Sequence, residues 1–368
     1  VGINAGATTQ GSSCVAIGVN AGQTNQVGNS IAIGGNAGNA GQLGSAVAVG
    51  FRAGQNNQQL YGISVGLDAG QTTQGQDAIA IGRTAGQTTQ GSESIAIGYL
   101  AANNTQGSQS IAIGRSAGAT TQGTFAVAVG YGTGATTQGA NAVAVGVSAG
   151  ASTQGGGSVA VGQSAGQTTQ AINSVAVGRS AGQTTQGTQS VAVGYLAGTT
   201  NQAGSAIAVG VNAGNNTQGA SSVAVGSGAG TTTQGIQSVA IGLNSGQTNQ
   251  GANNVGVGVN SGALTQGASS VAIGGDAGRF TQGSSAVAIG TNAGRGVLAT
   301  TFQGNGAVAI GTNAGQGTTT GQGANSIAIG LNAGVASQTA GSICLNASGV
   351  ALNPSTAGCY INPIRAGV

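Results

Sequence analysis

Hydrophobic and polar positions alternate along this chain in short bursts that recur at one fixed spacing. In Ser94-Ile95-Ala96-Ile97-Gly98 the bulky residues fall on every second position. Ile95 and Ile97 therefore share one face of an extended segment, while Ser94, Ala96 and Gly98 share the other. The same core appears as Val15-Ala16-Ile17-Gly18 and continues to Val287-Ala288-Ile289-Gly290, eighteen copies sixteen residues apart. Two looser copies follow at Val308 and Ile327, and a degenerate one at Ile343. Numbered from the first Val or Ile, the unit reads Val/Ile-Ala-Val/Ile-Gly-x-x-Ala-Gly-x-Thr-Thr-Gln-Gly-x-x-Ser/Ala. The fourth position is always Gly in the eighteen strict copies, and the eighth is Gly except at Ala102.

A fixed period of this length predicts one coil of a parallel β-solenoid per unit, with glycine at the corners. An α-helix is excluded because glycine recurs every few residues and each costs about 1 kcal/mol relative to Ala. The predicted fold is all-β: about twenty-one coils stacked at the inter-strand spacing of about 4.8 Å, a rod roughly 100 Å long. The repeat region is expected over residues 1–341, with insertions near 295–299 and 316–321, and a capping tail over 342–368. The twelfth position is Gln without exception from Gln10 through Gln282, including Gln74, Gln90, Gln106, Gln122 and Gln138, and Gln303 resumes the row after the insertion. Amides stacked in register can donate to one coil and accept from the other, so this row is expected to be a ladder that fixes register.

Each coil supplies only about two bulky aliphatics, expected in the core at about 1.5–3 kcal/mol each. Ordering the backbone costs about 1–2 kcal/mol per residue, so a single thin roll is marginal. The opposite face of Ala, Ser and Gly carries no charge, and it is expected to pack against the same face of other copies. A homotrimer, with rods joining end to end as a further possibility, is the expected assembly.

Composition sharpens the picture by exclusion. The chain has 76 Gly, 3% charged and 2% aromatic residues, and no Lys, His, Met or Trp. It lacks the usual general base and Schiff-base amine, so no enzyme and no cofactor is expected. A net charge of +3 makes no nucleic-acid footprint, and no apolar run is long enough to insert in a membrane. Val1 is not an initiator Met, and a start part-way through a unit is expected. Glycine-rich stretches without Lys are not phosphate loops. Asn103-Asn104-Thr105, Asn215-Asn216-Thr217 and Asn346-Ala347-Ser348 fit glycosylation acceptors, as chance gives in an Asn/Thr-rich chain. Cys344 and Cys359 are read either as a capping disulfide or as small buried thiols.

The phrase Ser94-Ile95-Ala96-Ile97-Gly98-x-x-Ala101, repeated head to tail, resembles the head domain of trimeric autotransporter adhesins. That resemblance implies a left-handed parallel β-roll with three chains about one axis. The commoner period in that family is fourteen, and Thr-Thr-Gln-Gly lengthens it here; no stalk or barrel is visible. The tail, with Asn346-Ala347-Ser348-Gly349, Ala351-Leu352-Asn353 and Asn362-Pro363-Ile364-Arg365, resembles fibre proteins of large DNA viruses and phages. There such a stretch precedes a self-cleaving chaperone, which implies a mature fibre ending at Val368.

Variable positions carry the specific information on a repetitive scaffold. The fifth position holds Arg83, Tyr99, Arg115, Tyr131, Arg179 and Tyr195, an expected outward stripe of stacked guanidinium and phenol rings. It is read either as a solubilising ladder or as a site for a host surface glycan or receptor. Arg52 and Asp68 are expected to form a surface ion pair. Asp77 and Glu93 are read as a solvated edge rather than a cation site. Rows of Thr at the tenth and eleventh positions invite an ice-binding reading, weakened by the expectation that a strand sends alternate hydroxyls to opposite sides. The leading expectation is a non-enzymatic structural fibre, extracellular on a virion or cell surface, that serves host attachment. A bacterial autotransporter-type adhesin head is the alternative.

Overall fold

In a computed structural model the described residues are 1–296, 302–318 and 320–364. Parts of both expected insertions, at 297–299 and at 319, lie outside them, as does Arg365. All regular structure among the described residues is β-strand, in a parallel solenoid of about 22 turns spaced sixteen residues apart. The chain divides into two compact units, Val1–Thr185 and Gln186–Val368, and each has the same internal plan.

One turn carries two strands. The first is the Val/Ile-Ala-Val/Ile core, as in Ile95–Ile97, and the second is the Thr-Gln pair, as in Thr105–Gln106. Each strand pairs in parallel with its equivalent one unit away, Ile95 with Ile111 and Thr105 with Thr121. Corners join these ladders, and their backbone amides also bond between turns: Gly98 N donates to Ile81 O and Ile95 N to Ser110 O, at 2.8 and 2.9 Å. Backbone pairing between turns thus does most of the work that a large core does elsewhere.

Two tight turns bend each coil. In the first, the seventh-position amide donates to the fourth-position carbonyl, as from Ala101 N to Gly98 O. The sixth residue between them has a positive φ, 55° at Thr84 and 58° at Leu100, which is the geometry of a type II turn. In the second, Ala142 N donates to Gly139 O, and Asn141 at the fifteenth position has φ 59°. Corner glycines were legible in the repeat. These left-handed Thr, Leu and Asn residues were not, because the sixth and fifteenth positions vary freely in the sequence.

The orientation of the strand faces corrects the sequence expectation. Alanines, not Val and Ile, fill the interior: Ala80, Ala85, Ala96, Ala101, Ala112 and Ala117 are fully buried in one cluster. Val and Ile at the first and third positions point outward and stay half-exposed, Ile81 at 38% and Ile113 at 37%. The reason is cross-section. A Cβ added at Gly86 would lie 2.8 Å from the Gln90 side chain, so a coil this narrow holds Ala, Ser and one amide per turn and has no room for Ile.

The span read as a capping tail carries the ladder one turn further. Cys359–Asn362 pairs in parallel with Ile343–Asn346, with Ile343 opposite Cys359 and Cys344 opposite Tyr360. Cys344 is therefore buried while Cys359 is exposed, and both are free thiols, so the disulfide reading fails. Burial pushes the Cys344 thiol above the ordinary thiol range, against a smaller lowering from its hydrogen bond with the Gly334 backbone.

Candidate functional site

The twelfth-position amides are the largest side chains inside the coil. Gln74, Gln90, Gln106, Gln122 and Gln138 are each 2% exposed or less. The structure shows Nε2 of Gln106 donating to Oε1 of Gln122, Gln122 to Gln138, and Gln138 to Gln154, all at 3.1 Å. A second role was not legible in the sequence. Each Nε2 also donates across its own turn to the first-position carbonyl, from Gln106 to Ile95 O at 2.8 Å and from Gln122 to Ile111 O at 2.7 Å. A longer bond reaches the sixteenth-position carbonyl, at 3.3 Å from Gln122 to Ala126 O. Two hydrogens thus face three acceptors. Where the amides do not meet, Oε1 of Gln90 and of Gln106 is buried with no partner among the described residues. The intra-turn brace to the first-position carbonyl is kept at Gln74 and Gln90, whose Nε2 groups donate no rung to the next turn.

The fifth-position row lies outside. Arg83, Arg115 and Tyr131 are exposed, while Tyr99 between them is half-buried. The Arg83 guanidinium lies over the Tyr99 ring at 4.1 Å from its centroid; Arg115 is 5.6 Å from the Tyr99 centroid and 5.5 Å from that of Tyr131. Arg179 falls in the first unit and Tyr195 in the second, so the structure brings Arg83, Tyr99, Arg115 and Tyr131 together in one row.

The remaining charges are placed as follows. Arg52 Nε lies 2.7 Å from Asp68 Oδ1, and Nη2 donates to Oδ2 at 2.8 Å. One hydrogen bond, from Nη2 to Oδ2, joins the pair, and Asp68 is buried at 6% exposure, so the expected surface pair is half sunk, with Arg52 also 5.0 Å over Phe51. Asp77 and Glu93 are exposed and accept from Gln76 and Gln109 at 3.1 and 3.0 Å. Asp276 is flanked by Arg279 and Arg295 at 3.4 and 3.5 Å. Among the described residues no three His, Cys, Asp or Glu side chains gather as metal ligands, and no helix is long and apolar enough to cross a membrane.

The threonine columns also depart from expectation. Thr88 and Thr89 are both exposed, as are Thr120 and Thr121, and Thr136 and Thr137. The tenth position is a bend and only the eleventh enters the strand, so strict alternation does not apply and both hydroxyls reach the surface. Asn104, Asn201 and Leu264 interrupt the columns.

The outward Val and Ile form the most extensive apolar feature of each unit. At the first and third positions no strict copy carries any other residue. An unbroken uncharged face of this kind is the mark of an interaction surface. Sequence reasoning missed it by assigning those residues to the core.

No curated protein matches the chain. Two stretches, residues 106–133 and 218–245, match the YadA head domain repeat. Each begins at a ladder Gln and holds two complete Val/Ile-Ala-Val/Ile-Gly strands. The chain is thus similar, over those two stretches, to the repeat of a surface adhesin head, and its solenoid fold is of the kind typical of structural adhesin proteins.

Proposed function

We propose that this chain is a non-enzymatic structural fibre protein that assembles as a homotrimer at a virion or cell surface and serves attachment. The observation that carries the reading is the outward Val/Ile face. Its rows run through both units without a charge, on a fold whose repeat matches the YadA head. Burying an Ile contributes about 1.5–3 kcal/mol, and the face repeats at every turn. Its packing against two further copies supplies the apolar burial that an alanine interior cannot. An attachment role fits the surface adhesins that carry this repeat. The Asn-Pro-Ile-Arg tail favours a virion over a bacterial cell.

The test is a pair of substitutions on that face. Ile97→Glu with Ile113→Glu places two carboxylates per chain among apolar side chains while leaving the alanine interior alone. The expected outcome is dissociation to monomers with a far-ultraviolet β-spectrum retained. A variant that keeps the wild-type assembly mass shows that this face is not the interface.

A further inference from the structure

The chain has only seven Arg and four acids, and among the described residues the acids are engaged away from the fifth-position row. Asp68 is held by Arg52, and Asp276 by Arg279 and Arg295. Asp77 and Glu93 accept from glutamines. Arg83 and Arg115 face no carboxylate among the described residues. Their partners are tyrosine rings, which take the face of a guanidinium and leave its N–H edge toward water.

That edge is a planar donor fork suited to a carboxylate or sulfate. Arg83 and Arg115 sit two turns apart, about 9.6 Å at the inter-strand spacing, with the Tyr99 ring between them and Tyr131 one turn beyond. The Tyr99 face is taken by the Arg83 guanidinium, so the rings hold the two donor forks in place and a sugar chain lies along the outer edge of the row beside the exposed Tyr131 ring. Acidic groups on alternate sugars would meet the two forks.

We propose that Arg83, Tyr99, Arg115 and Tyr131 form a binding site for an acidic glycan bearing a carboxylate or sulfate on every second sugar. The proposal deepens the attachment role given above by naming its ligand class, and it does not depend on how many chains assemble. Binding is measured by titration calorimetry on the full chain, with heparin oligosaccharide as the sulfated probe, polyuronate as the carboxylated one and dextran as the neutral control. One or both acidic probes bind and dextran does not. Arg83→Gln with Arg115→Gln weakens binding by about tenfold or more, equivalent to about 1.4 kcal/mol. Tyr99→Leu, which keeps the charge, weakens it as well. Arg279→Gln with Arg295→Gln, an equal loss of charge elsewhere, leaves binding unchanged. The proposal is overturned if neither acidic probe binds, if the two double variants lose binding equally, if Tyr99→Leu binds as the parent does, or if single-stranded DNA binds as tightly as the glycan. Circular dichroism and assembly mass on the same samples separate failure of the fold or the trimer from failure of the row.

Discussion

At the residue scale the coil is governed by close approach. Gly98 has φ 129°, and a Cβ there would sit 2.7 Å from the carbonyl oxygen of Gly114 on the adjacent turn. Both facts disfavour a side chain, which is why this position is Gly in all eighteen strict copies. Gly98→Ala is expected to destabilise by about 1–3 kcal/mol from backbone strain alone. Gly275→Ala, where nothing lies within 4 Å, should fall within about 0.5 kcal/mol of the parent; thermal unfolding of the two side by side measures the contrast. Departures from the repeat compensate one another by the same logic. Ser245 and Ser261 replace the buried seventh-position Ala, and their hydroxyls lie 2.8 Å apart. Gly256 replaces the Ala between them, where a Cβ would be 2.8 Å from the Ser245 hydroxyl.

At the element scale each turn is closed by its own glutamine. Gln122→Ala removes the donor to Ile111 O and opens a cavity in a packed interior. The expected cost is about 2–4 kcal/mol, from the lost bond and the void together. Gln122→Leu fills most of the volume and should cost less, and chemical denaturation of the two variants ranks them. Equal losses would show that the amide acts through its hydrogen bonds alone and not through its bulk. The period and the strand core were legible because every turn repeats them, and a repeat of sixteen with glycine corners admits little else. Which face turned inward was not legible. Alternation separates Ile95 and Ile97 from Ala96 equally well in either orientation, and the usual preference for large apolar residues inside gave the wrong answer for so narrow a coil. The row of Arg83, Tyr99, Arg115 and Tyr131 was visible as a spacing, whereas the engagement of every acid elsewhere needed the coordinates. Burial of Asp68 and exposure of both threonine columns likewise depend on corner geometry that freely varying positions conceal.

At the scale of the whole molecule, an interior of alanine and amide leaves the outer part of the Val/Ile faces unburied in a single chain. Tandem coils gain stability chiefly from their neighbours along the stack, and lateral packing of the Val/Ile faces is the remaining source of apolar burial. Trimerisation is thus the central claim, and the mass of the assembled species in solution tests it most directly. Light scattering on size-separated protein at micromolar concentration is expected to give three times the 34.1 kDa chain mass, unchanged on dilution. A folded species at one chain mass, with the β-spectrum intact, would contradict the account.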